Sequence, residues 1–138
     1  MFLSLYIINT KCKKIAHKLN PACKYDEQFI VYNERGEIGG MCGLDNIDTK
    51  NNKNAELWGL AFKGNNQTIE SVKILENYCI DKLNLNSIYG KVQSNNIACR
   101  YFWERYGYDS KTEMKNVPIS EHNPKISDII IYTKYLSR

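Results

Sequence analysis

A chain of 138 residues has the size of one domain, and a chain of that size buries about two-thirds of its unfolded surface without needing disulfide staples. Its 43% hydrophobic and 12% aromatic content places it with globular rather than disordered chains. A net charge of +4 suits an anionic ligand such as a phosphorylated cofactor, and no basic-aromatic platform for nucleic acid accompanies it.

The opening "MFLSLYIINTKCKK" has its basic residues after the apolar run, the reverse of a signal peptide, so "FLSLYII" (2–8) reads as a buried strand. No apolar run approaches the length needed to span a membrane. Cys12, Ile15, Ala16 and Leu19 fall at helical spacing in a short helix stopped by Asn20-Pro21. In "QFIVYNERGEIGGMCGL" two apolar runs flank a turn containing Gly36, a hairpin signal. The polar "DNIDTKNNKN" (45–54) reads as a loop, and "AELWGLAF" (55–62) as a strand. Gly59 inside that strand marks either a bulge or a chance small residue.

After the loop "KGNNQT" (63–68), an amphipathic helix is expected over 69–83, with Val72, Leu75 and Cys79 on one face. "NSIYGKVQ" is a short strand. "NNIACRYFWERY" is a second helix, with Ala98, Tyr101 and Phe102 facing inward and Gly107 as its left-handed stop. "SKTEMKNVPISEHNP" reads as a mixed-charge loop, and "ISDIIIYTKYL" as the long closing strand. The order, roughly β-α-β-β-β-α-β-α-β-β, predicts a single α/β (α+β) domain over residues 1–138. Its central sheet is mixed and largely antiparallel, with a β-α-β core and helices on both faces.

The five cysteines, Cys12, Cys23, Cys42, Cys79 and Cys99, are odd in number and form no Cys-x-x-Cys, which suits reduced thiols in a cytoplasmic protein. His17 and His122 belong to no ligand-spaced cluster, so no metal site is expected. The junction between strand 55–62 and the following helix is the best candidate site. A helix N-terminus presents free N–H groups and partial positive charge to a phosphate.

Glu56-Leu57-Trp58-Gly59-Leu60, the following helix, "NSIYGKV", and Asn96 through "FWERYGY" together resemble the GNAT superfamily of acetyl-CoA-dependent N-acetyltransferases. The resemblance runs over about residues 28–138 and is most specific at 96–108. It implies a cofactor, acetyl-CoA, whose pantetheine arm enters between two parallel strands that splay at a bulge near Gly59. Backbone groups of Leu60, Ala61 and Phe62 would pair with the arm, one N–H polarising the thioester carbonyl. Lys63, Gly64, Asn65, Asn66, Gln67 and Thr68 would receive the pyrophosphate, and Asn96 and Trp103 would face the cofactor from the second helix.

Two registers of the family's loop motif compete. In one, Gly64 is the central glycine and Asn66 replaces the last; in the other, Gln67 leads, with Glu70 and Val72 in place of both glycines. The first leaves the helix start open for phosphate.

The implied reaction is direct acetyl transfer to a primary amine, with Glu56 as general base acting directly or through a water. Trp103 occupies the position where the family often has an acidic tyrosine; Tyr101, Tyr106 and Tyr108 are near it in sequence, Tyr101 and Tyr106 being the candidates, and all three read equally as core or rim aromatics. Cys99 reads either as a thiol facing the thioester or, more simply, as a small packed thiol. Two other readings stand beside the enzyme: a GNAT-fold module that binds coenzyme A without turnover, and a protein-interaction domain. The N-terminal helical part looks abbreviated. That suits either an open acceptor site or one completed by a second chain in a homodimer.

Overall fold

The computed structural model describes residues 6–9, 27–32, 37–62, 65–120 and 123–137. One mixed sheet organises them, built from β1 (Tyr6–Asn9), β2 (Glu27–Tyr32), β3 (Ile38–Asp48), β4 (Asn54–Phe62), β5 (Ser87–Gln93), β6 (Ser110–Ser120) and β7 (Asn123–Tyr135). The spatial order is β1-β2-β3-β4-β5-β7-β6. Every neighbouring pair is antiparallel except β4 and β5, which run parallel. That pair needs a crossover, supplied by helix α1 (Asn65–Asp81); α2 (Ile97–Arg105) follows β5. This is the expected mixed, largely antiparallel sheet with a β-α-β core.

Strand alternation separates the two faces. Cys42 and Leu44 of β3, Ala55 and Leu57 of β4, Ile88 and Val92 of β5, and Ile130 and Tyr132 of β7 share one core with Val72, Leu75 and Cys79 of α1 and Trp103 of α2. Both described helices therefore cover the same face. The helix expected around residues 12–19 lies outside the described residues, as do Gly36, His17 and His122.

Several expectations are corrected. Helix α1 begins at Asn65, so 65–68 belong to its first turn rather than to a loop. "DNID" is not loop but the end of β3, carried past an irregularity between Asp45 and Asp48. The segment beginning at Ser110 is strand β6, an edge strand whose residues 111–116 are all exposed. Pro118 is tolerated there because an edge strand leaves one row of N–H groups unpaired.

On α2 the inward residue is Trp103, 6% exposed, with Phe102 and Tyr106 partly buried against the core. Ala98 and Cys99 are exposed and Tyr101 is 61% exposed, so neither the inward Ala98 and Tyr101 nor the packed Cys99 thiol holds. Trp103 prevails because Gly90 of β5 leaves its ring space: a Cβ there would lie 2.4 Å from the indole. Gly107 stops α2 as anticipated, at φ +86°.

Candidate active site at the parting of strands four and five

Parallel pairing of β4 and β5 covers Asn54↔Ser87, Ala55↔Ile88 and Glu56↔Tyr89 only. Beyond that row β4 continues against β3 as far as Phe62, and β5 against β7 as far as Gln93. The two strands thus part above Glu56 and Tyr89, opening a cleft between their facing edges. The β3–β4 register shows why. Met41 pairs with Ala61 but Gly43 with Trp58, so β4 carries one extra residue across Gly59-Leu60. A bulge bends its strand and strengthens the local twist, turning β4 away from β5. Gly59 is at the bulge, as anticipated.

The face opposite the helices carries a polar row at the base of this cleft. Asp45 pairs with Glu56, Glu56 with Tyr89, and Tyr89 with Thr133. Lys91 is the next residue of β5 on that face. The Glu56 side chain is 1% exposed, and Lys91 Nζ lies 3.4 Å from its Oε1. Asn46 Nδ2 donates to the same oxygen at 3.2 Å. Asn46 reaches it from the β3 irregularity, where its φ of +50° suits a residue that tolerates the left-handed region. Glu56 Oε2 is buried and accepts no hydrogen bond among the described residues.

This environment sets the carboxyl's acidity. Burial, the largest influence, pushes the Glu56 pKa above the ordinary glutamate value; Lys91 and Asn46 oppose that rise, and Asp45 adds to it. Tyr89 is pushed up to about 12 by burial and then by the charges of Glu56 and Asp45. A buried carboxylate with one unpartnered oxygen and a raised pKa can take a proton from an amine. The Cys42 and Cys79 thiols are buried and each is pushed up to about 12, chiefly by desolvation, so neither is a nucleophile at neutral pH.

Leu60, Ala61 and Phe62 lie past the bulge, on the stretch of β4 that has left β5. Asn65, Asn66, Gln67 and Thr68 form the first turn of α1, where the leading N–H groups have no partner within the helix; that turn carries no acidic residue. Lys63 and Gly64, between strand and helix, lie outside the described residues. A strand edge without its neighbour and an acid-free helix start fit an extended arm ending in a pyrophosphate.

The remaining anticipated residues are placed as follows. Asn96 is the N-cap of α2, its Oδ1 accepting from the Cys99 N–H at 3.2 Å. The Trp103 ring packs 4.6 Å from the Tyr108 ring. Tyr101 is on the exposed side of α2, where its hydroxyl accepts from Arg105 at 3.1 Å. Tyr106 caps the C-terminus, its N–H donating to Phe102 O. The structure brings none of these four to Glu56. Instead Asn46, Tyr89 and Lys91 surround Glu56, and the sequence reading passed over all three. The signal was present on β5, where Tyr89 and Lys91 alternate with the apolar Ile88 and Val92. Asn46 was hidden by the reading of its segment as a loop.

Residues 7–126 match the family described as acetyltransferase (GNAT) domain. No curated protein sequence matches the chain. Among solved structures, the spermidine/spermine N-acetyltransferase SpeG from Vibrio cholerae is similar at 17% identity and a TM-score of 0.77, covering 98% of this chain and 93% of that one. A probable acetyltransferase is similar at 22% identity and a TM-score of 0.59, over 78% of this chain and 59% of that one. At these identities the likeness is one of fold.

Proposed function

Since the chain belongs to the GNAT acetyltransferase domain family, we propose that it transfers an acetyl group directly from acetyl-CoA to a primary amine in the cleft between β4 and β5. The observation that carries the proposal is Glu56: a buried carboxylate with one oxygen unpartnered among the described residues, at the row where the strands part. Acetyl-CoA would supply the activated acyl group as a thioester. The free edge of β4 at Leu60, Ala61 and Phe62 would align its arm, and the N–H groups opening α1 would hold the pyrophosphate.

Glu56 would take the proton of the acceptor ammonium at Oε2, while Lys91 and Asn46 hold Oε1 in place. Tyr89, with its pKa pushed up to about 12, stays protonated across the working range and closes the base of the cleft. An amine acceptor is supported by the family. The fold neighbour named as a spermidine/spermine N-acetyltransferase gives one example of that class.

The test is calorimetric titration with acetyl-CoA and with dephospho-CoA, followed by thiol release across a panel of primary amines. Micromolar binding with amine-dependent thiol release is expected. Absence of binding at millimolar acetyl-CoA contradicts the proposal, and binding without thiol release for any amine reduces the chain to a coenzyme A-binding module.

A further inference from the structure

We infer that Lys91 is itself an acetyl acceptor, a self-acetylation site built into the cleft. The inference rests on the reading of that cleft as the acyl-transfer site. Lys91 follows the last β4–β5 pair on Glu56's face of the sheet. Its Nζ is held 3.4 Å from Glu56 Oε1, and its side chain is 29% exposed. A primary amine is therefore already placed where an acceptor has to stand, against the carboxylate that takes the acceptor's proton. The second carboxylate oxygen is buried and unpartnered among the described residues, which leaves it a lone pair for that proton.

Other described lysines are placed differently. Lys111 of β6 pairs with Glu104 of α2, Lys115 of β6 with Asp128 of β7, and Lys134 with Glu76 on the helix face. None of them is paired with a carboxylate of the cleft.

The step balances without a further reactant. Nζ gives a proton to Glu56 and attacks the acetyl carbonyl. The N–C bond forms, the C–S bond breaks, and coenzyme A leaves with the bonding electron pair; the second proton that the nitrogen loses in becoming an amide goes to the departing thiolate. The product is a neutral amide, so Glu56 loses its neighbouring cation. The Lys91 charge lowers the Glu56 pKa. Its loss therefore leaves a smaller fraction of Glu56 ionised at a given pH, and the modified chain is a slower enzyme. A cleft supplied with an external amine is protected, because that amine competes for the acetyl group.

The full chain is incubated with acetyl-CoA and no added amine, and acetylated lysines are mapped by mass spectrometry over time. Lys91 is expected to be modified about 100-fold faster than the exposed Lys115, the low end of what a positioned base contributes. Modification should fall to the Lys115 rate in Glu56→Gln and slow when an accepted amine is added. Equal rates at Lys91 and Lys115 in the wild type overturn the inference, as does a Lys91 rate unchanged in Glu56→Gln.

Acetyl-CoA binding and amine turnover are measured on the same sample. Turnover without a mark on Lys91 removes this inference alone, and absence of binding removes the proposed function with it. A cofactor-free readout tests the pairing: the Glu56 carboxyl ¹³C shift is followed against pH. Its midpoint should stay near the wild-type value in Lys91→Arg and move to higher pH in Lys91→Met. A midpoint unmoved in Lys91→Met shows that Lys91 is not held at Glu56 and overturns the inference without reference to acetyl-CoA.

Discussion

At the residue scale, one absent side chain decides how α2 meets the sheet. Gly90 leaves room for the Trp103 indole, and a Cβ at that position would lie 2.4 and 2.6 Å from two ring carbons. The ring has little freedom to yield, packed 4.6 Å from Tyr108 and 5.6 Å from Phe102. Gly90→Ala should therefore destabilise the protein by about 1–3 kcal/mol through overpacking. Trp103→Ala should cost roughly 3–5 kcal/mol through the cavity it leaves. In the Trp103→Ala background the added cost of Gly90→Ala should nearly vanish. Urea denaturation of the four proteins measures this coupling, and additive losses would show that the contact does not matter.

Glu56 provides a second residue-scale prediction. Its folded-state pKa is raised, so between the ordinary glutamate pKa and that raised value the native state binds more protons than the unfolded state. Stability from this group is present at low pH and is lost as pH rises through the folded pKa. The melting temperature of Glu56→Gln relative to wild type should therefore rise as the pH rises from the ordinary glutamate value through the raised folded-state pKa. A difference that is flat with pH would contradict the raised pKa.

Legibility at this scale was uneven. Gly107 was readable because a glycine after a helical run has few other uses. The inward face of α2 was not, because "YFW" sets three aromatics side by side and spacing alone cannot choose among them.

At the scale of elements, the start of α1 determines what the strand-to-helix junction can hold. Gly64 followed by Asn65 and Asn66 has the composition of a turn, so the sequence suggested a loop, while the structure makes 65–68 the first turn of the helix. The helix dipole is available there and no acidic residue occupies it. Asn66→Asp should accordingly have two opposed effects. A carboxylate in the first turn should stabilise the fold by about 0.3–1 kcal/mol. The same charge should repel a pyrophosphate and weaken acetyl-CoA binding, read by calorimetry. Unchanged binding would place the pyrophosphate elsewhere.

Strand β6 was missed for a different reason. Exposed on both sides along 111–116, it shows none of the period-two alternation that identifies a strand. The splay of β4 from β5 was foreseen through Gly59 and the family resemblance together. Glycine alone did not distinguish a bulge from a chance small residue.

At the scale of the whole molecule, an ion-pair network ties α1, the end of α2 and β7 together behind the cleft. Lys134 Nζ donates to both Glu76 oxygens at 3.0 Å and to Tyr106 O at 3.4 Å, and the Tyr108 hydroxyl donates to Glu76 Oε1 at 3.3 Å. The lysine side chain is 31% exposed, so the loss falls below that of a fully buried pair. Lys134→Met should cost on the order of 1–3 kcal/mol, the range for leaving a buried acceptor without its partner. A loss within experimental error in urea denaturation would mean that the network is not a brace.

The sequence announced the β-α-β core, because that depends on local patterns, and the parting of its two strands only through the family resemblance. It did not announce the assembly of Asn46, Tyr89 and Lys91 around Glu56, because three separate strands bring those residues together. The central claim is that Glu56 acts as base in that cleft. It is tested most directly by the pH dependence of kcat/KM for wild type and Glu56→Gln with an accepted amine. The account predicts a wild-type acid limb whose apparent pKa lies above the ordinary glutamate value, and a variant that has lost both that limb and most of its activity. Identical profiles for the two proteins would contradict it.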